Sequence, residues 1–170
     1  MKHYQPLLFI LVAFFFQNCT YNAVPLKGSY QKGPVKTKVD LSFEKAWEKS
    51  IDMIAATGMS VKLIDKASGL IIGESSSFWG LVTIEDKKGK ILNPDYYIVR
   101  ERTPPERTPF PYNAIATWNL RVKSIQEQST VISVNLHSIK IEKPLNAITF
   151  RGVSTGNFEK WLIDEIVREQ

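Results

Sequence analysis

Alternation of apolar and polar residues is clearest in the second half of the chain. In Ala116–Lys123, the residues Ala116, Trp118, Leu120 and Val122 alternate with Thr117, Asn119, Arg121 and Lys123. In Val131–Ile141, Ile132, Val134 and Leu136 oppose Ser133, Asn135 and His137. A period of two places one set on a buried face and the other in water, so both runs predict strands of a one-faced antiparallel sheet. Gln126–Ser129 supplies the turn between them. Val39–Gly58 instead repeats at helical spacing: Phe43, Trp47, Ile51 and Ile54, with Ala46 and Ala55, share one face. Ser42 can cap this helix, Glu44 suits its first turn, and Gly58 can end it. Met59–Ile64 and Leu70–Glu74 read as a hairpin around Asp65–Gly69, with a further strand expected at Val35–Val39. The chain closes on a helix over about 155–168, where Phe158, Leu162 and Ile166 repeat and Trp161 and Ile163 widen the stripe; Thr155 or Asn157 is its expected cap. Two amphipathic helices and a one-faced antiparallel sheet predict an α+β, two-layer fold.

Residues 75–113 interrupt this order. Pro94, Pro104, Pro105, Pro109 and Pro111 lie there with Phe78, Trp79, Tyr96, Tyr97, Phe110 and Tyr112. Leu81–Ile84 and Tyr96–Arg100 are candidate extra strands. Long excursions inside a domain are functional or disordered more often than not. Prolines interleaved with aromatics suit a semi-rigid segment against which a partner docks. Phe78, Trp79, Phe110 and Tyr112, which flank turns, are the candidate partner-binding residues. The competing expectation is a sheet extension whose aromatics cover the core. It is the better one for Tyr96 and Tyr97, which sit inside a strand-like run.

The amino-terminal pattern differs from everything after it. Lys2 precedes Leu7–Phe16, a run of apolar residues with no polar face. As a helix it reaches about 15 Å, half of a bilayer core of about 30 Å. A short apolar run after a positive start is the pattern of a signal-peptide core. Phe16-Gln17-Asn18-Cys19 follows, and Cys19 is the only cysteine of the chain. A cysteine directly after such a core resembles the lipobox of bacterial lipoproteins, in which the thiol is acylated and the signal is cut just before it. Phe16, Gln17 and Asn18 depart from the common Leu, small, Gly or Ala pattern, while Asn before Cys is similar to the relaxed lipobox of spirochaetal lipoproteins. The alternatives are an ordinary signal peptide with an incidental cysteine, or an uncleaved anchor. The resemblance implies a signal peptide at 1–18, a lipid-attachment site at Cys19, and a place in the cell envelope, most simply the outer membrane on its periplasmic or surface face. Two or three acyl chains hold a protein on a membrane almost permanently, at roughly 0.8 kcal/mol per buried CH₂. Residues 19–34, with Pro25, Gly28, Ser29, Gly33 and Pro34, then read as a lipidated, flexible tether. Residues 35–170 read as a single domain.

The segment VDLSFEKAWEKSIDMIAATGMSVKLIDKASGLIIGES and the closing STGNFEKWLIDEIV resemble the helix-grip modules of envelope lipoproteins such as the C subunit of the outer-membrane β-barrel assembly machine. The likeness lies in an aromatic-rich first helix, a G-x-x-V entry to the sheet and an S-G-L-I second strand. It covers about two fifths of the chain. It implies a helix-grip fold with no catalytic residues, in proteins that act by binding other envelope proteins.

Composition narrows the chemistry. Of 170 residues, 22 are Lys or Arg and 17 Asp or Glu, a net charge of +5 scattered along the chain. A nucleic-acid footprint would gather them on one face, so no nucleic-acid partner is expected. One cysteine and two histidines leave too few ligands for a zinc site, and no cofactor motif is present. His137 is the natural suspect for acid–base work. On its strand Ser133 lies about 13 Å away and Ser138 should point to the other face, so a solvated histidine is the simpler expectation. Asp164-Glu165 and Glu85-Asp86 read as surface charges. The chain is expected to be a non-enzymatic, membrane-anchored envelope protein with a protein-interaction or structural role. The rival is a binding module for a small apolar or lipid-like ligand in a cavity between helix and sheet, which would need roughly 300 Å³ or more.

Overall fold

The computed structural model describes residues 23–104, 106, 112–143 and 146–168. In chain order its elements are β1 (Val35–Val39), α1 (Phe43–Thr57), β2 (Val61–Asp65), β3 (Leu70–Gly73), β4 (Ser76–Ser77), β5 (Val82–Ile84), β6 (Ile98–Arg100), β7 (Asn113–Gln126), β8 (Ser129–Lys143), β9 (Asn146–Phe150), β10 (Gly152–Ser154) and α2 (Asn157–Val167). The architecture is α+β, with two helices and largely antiparallel sheets.

The alternating runs form the spine. β7 and β8 pair antiparallel from Asn113↔Glu142 to Gln126↔Ser129. The main sheet is ordered β1-β8-β7-β3-β2, with β4 also on β7 and β9 on β8. Ala114, Ala116, Trp118, Leu120 and Val122 of β7 are buried with Ile132, Val134 and Leu136 of β8. On α1 the buried set is Ala46, Trp47, Ser50, Met53 and Ile54. Met53 and Ser50 take the places expected of Ile51 and Ala55. The small Ala46 and Ser50 sit in the contact, and the Ser50 hydroxyl donates to Ala46 O at 2.7 Å, so its burial leaves no orphan. Ser42 accepts from Lys45 N, and Gly58 ends α1 at φ 66°. α2 buries Phe158, Leu162, Ile163 and Ile166. Each large apolar side chain so buried contributes roughly 1.5–3 kcal/mol.

Neither expected residue is the N-cap of α2, although Thr155 Oγ1 accepts from Asn157 N at 3.4 Å. Its N-cap is Gly156 at φ 91°, without a side-chain bond. Ser154 Oγ accepts from Gly156 N at 3.0 Å and donates to Glu159 at 2.8 Å. Glu159 is fully buried, and its other oxygen accepts from Leu136 N at 3.1 Å. The register supplies the reason. β1 covers β8 only as far as Val35↔Val134, beyond which Pro34 has no N–H to donate. β9 resumes the pairing at Ile141. Between them the β8 edge has no strand partner among the described residues, and Glu159 serves Leu136 in its place.

The excursion is largely ordered and builds a second sheet, β10-β6-β5. The two candidate strands do form, but β5 and β6 run parallel rather than as a hairpin. All six of their residues are buried, as strands covered on both faces must be. β4, β9 and β10 had no counterpart in the local pattern. The aromatics tie this sheet to α2: Phe78 meets Phe158 edge-on at 5.3 Å, and Tyr97 stacks on Trp161 at 6.4 Å. The layers therefore share one core.

Candidate functional site

β5 and β6, being parallel, end on the same side, and the chain crosses those ends. Just past β6, Arg102 bridges Val24, with Val24 N donating to Arg102 O at 2.8 Å. Just past β5, Glu85 accepts from Lys27 N at 2.8 Å, from Gly28 N at 2.7 Å and from the Tyr30 hydroxyl. Lys27 Nζ adds a bond to Lys87 O at 2.7 Å. Residues 24–30 are thus a docked strap. This corrects the expectation of a flexible tether for residues 24–30, which are fastened to the domain. Nor is Glu85 a surface charge. Burial alone would raise its carboxyl, but the bonds from Tyr30, Lys27 N and Gly28 N, with the Lys27 charge, outweigh it and hold the carboxyl below the ordinary range. Burial and then the Glu85 bond push the Tyr30 phenol up. Asp86 next door is surface-turned. Its carboxylate accepts from Lys88 N and Lys90 N and folds the turn that follows β5.

Beneath the strap lies a hollow of about 260 Å³, lined by Val24–Lys27, Glu85, Arg100 and Arg102 among others. Arg100 is fully buried. Its guanidinium lies 3.9 Å from the Tyr112 ring centroid and 4.7 Å from that of Phe150, and pairs with Glu106. Nη1 donates to Glu101 O at 2.7 Å, while Nε has no partner among the described residues. A buried arginine held between two rings with a carboxylate is a joint whose removal of either partner is costly. Here it joins β6 to the start of β7 and the end of β9.

The four aromatics expected to meet a partner part company. Phe78 is 5% exposed and Tyr112 3%, so both are core residues. The reason in each case is a partner distant in sequence: α2 for Phe78, and Arg100 for Tyr112. Trp79 is 61% exposed beside Gly80, whose φ of 73° turns the chain. Phe110 and Cys19 lie outside the described residues. His137 Nδ1 is 3.0 Å from Ser138 Oγ, so the expected separation of the two does not hold. Ser138 has φ 53°, and this left-handed residue breaks the alternation of β8. No carboxylate is bonded to the imidazole among the described residues, and no cluster there could hold a metal ion. Nor is any described helix long and apolar enough to cross a membrane.

Tyr30, Arg100, Glu106 and Glu159 were given no role from sequence, and Glu85 was read as a surface charge. Their partners lie up to 58 residues away, and no local periodicity marks such pairs.

No protein-family model matches the chain, and no curated protein matches it. Among solved structures it is similar to a DUF4468 family protein from Bacteroides ovatus, with 9% identity over 82% of this chain and 71% of that one, at a TM-score of 0.38.

Proposed function

We propose that the chain is a cell-envelope lipoprotein, acylated at Cys19, whose folded part is a helix-grip-like interaction module rather than an enzyme. The observation that carries this reading is the junction of leader and fold. A short apolar leader ends at Cys19, and by Val24 the chain is already bonded to the domain. Over those five positions even a fully extended chain covers only about 18 Å. A lipid on Cys19 would therefore hold the strap side of the domain against the bilayer surface. The buried ionisable groups favour a binding role over catalysis: Glu85, Glu159 and Arg100 each serve to join segments of this chain. The Trp118 indole, fully buried, lies over Gly73 of β3 and fills space inside the core, which favours an interaction module over an apolar-ligand carrier. Among the described residues, exposed Trp79 is the candidate contact for an envelope protein partner.

The test is the intact mass of the amino-terminal peptide from native cells, followed by crosslinking from position 79. A peptide beginning at Cys19 with two or three acyl chains, and a crosslinked envelope protein lost in Trp79→Ala, is the expected result. An unmodified terminus elsewhere overturns the lipoprotein reading.

A further inference from the structure

The face of the main sheet turned away from the helices carries a pattern that only the strand register reveals. β8 lies between β1 and β7. Ser133 sits opposite Lys36 on one side and Arg121 on the other. Val131 sits opposite Lys38 and Lys123 in the same way. Directly paired residues share a face, so four cations stand in two rows along β1 and β7, with Val131, Ser133 and Asn135 as a low floor between them. Across two strand spacings the rows are roughly 10 Å apart, and along each strand the charges repeat about every 6.7 Å.

Lys36, Arg121 and Lys123 of these cations, with Val131, Ser133 and Asn135, line a hollow of about 900 Å³, and Lys38 stands just outside it. Among the described residues its lining holds no carboxylate and no aromatic residue; Asn119, Ser133 and Asn135 offer hydrogen bonds, and Leu70 and Ile125 add apolar surface. Lys36, Lys38, Arg121 and Lys123 are all exposed, and none makes an ion pair among the described residues. Four unpaired cations so close repel one another, and an anionic occupant would relieve them.

We infer that this trough binds an extended acidic polypeptide segment of a partner protein, lying along β8. An extended chain sends every second side chain to one face, and that repeat matches the spacing of the cations. The floor's amides and hydroxyl suit a polar backbone. A single-stranded nucleic acid would want aromatic platforms for its bases, which this lining lacks. A planar bilayer cannot fill a concave face. The inference deepens the interaction reading above but does not depend on acylation of Cys19.

The test uses the full chain, ¹⁵N-labelled, in detergent micelles. The probe is a peptide of about twelve residues alternating Glu and Thr, with a Gln–Thr twin as control. The Glu peptide should shift the amides of Lys36, Lys123, Val131 and Ser133, and the twin should not. The double reversal Lys36→Glu with Arg121→Glu should weaken binding at least tenfold, and raising salt from about 20 to about 150 mM should weaken it several-fold. Arg121→Gln with Lys123→Gln, which leaves unchanged the signals of buried Leu120 and Leu162, should give an intermediate loss. Shifts located elsewhere, or equal binding of the two peptides, would overturn the inference. So would an oligonucleotide or phosphatidylglycerol vesicles occupying the trough when the peptide does not. A crosslinked envelope partner that binds the double reversal as well as the parent leaves the interaction reading standing and removes the trough from it.

Discussion

Glu85→Ala tests the strap most directly. The carboxylate accepts from Lys27 N, Gly28 N and the Tyr30 hydroxyl, and its side chain is buried. Hydrogen bonds to a charged acceptor contribute about 1.5–3 kcal/mol each, so three contribute at least about 4.5 kcal/mol. Against this stands the cost of ordering about seven residues, at roughly 1 kcal/mol or more each. The remaining contacts, chiefly the Val24–Arg102 bridge and the Lys27–Lys87 bond, cannot offset that cost alone. The variant should therefore release residues 24–30 while the rest of the domain stays folded. Amide hydrogen exchange is the assay. Lys27 and Gly28 should lose protection by a hundredfold or more, equivalent to about 2.7 kcal/mol. Leu120 and Ile132 should keep theirs, because the strap's bonds run to residues 85–102 and not to the β7–β8 hairpin. Unchanged exchange at Lys27 and Gly28 would refute the assignment of the strap to Glu85. Equal loss at Leu120 would show that strap and hairpin unfold as one unit.

Three further outcomes follow from the same structure. The Gly28 amide resonance should report a strap stable across neutral pH and lost at both extremes. The Glu85 carboxyl is depressed in the fold, so its contribution is present above the ordinary carboxyl range near 4.3 and lost as pH falls through the lower folded value; the Tyr30 phenol is raised, so its contribution is present below about 10 and lost as pH rises through the higher one. Gly73→Ala should lower the urea midpoint by the equivalent of about 1–3 kcal/mol, because an added Cβ would lie 2.0 Å from the buried Trp118 ring; a variant as stable as the parent would show that the indole can move aside. Phe78→Ala should cost about 3–5 kcal/mol in the same assay and Trp79→Ala no more than about 0.5, a contrast that disappears if Phe78 is not a core residue.

Much of the fold could be read from the chain alone. The alternation from Ala116 to Lys123 and from Ile132 to Leu136 marked the central hairpin and its buried face, and Ser42 and Gly58 marked the ends of α1. These signals are local, since side-chain direction repeats every two residues in a strand and every 3.6 in a helix. The apolar run Leu7–Phe16, three positions before Cys19, is likewise legible without a structure. What the tertiary structure decided are relations between distant segments. Lys27-Gly28-Ser29-Tyr30 has the composition of a linker, and only the return of Glu85 beneath it makes it a strap. Phe78 and Tyr112 flank turns as exposed residues do, yet α2 and Arg100 cover them. Lys36 and Arg121 are scattered cations in the sequence. They become two walls of one trough because β8 pairs with both β1 and β7; the β7 pairing is a local hairpin, but the β1 pairing joins residues such as Lys36 and Ser133 that are far apart in the chain, and such a register leaves no trace in local periodicity.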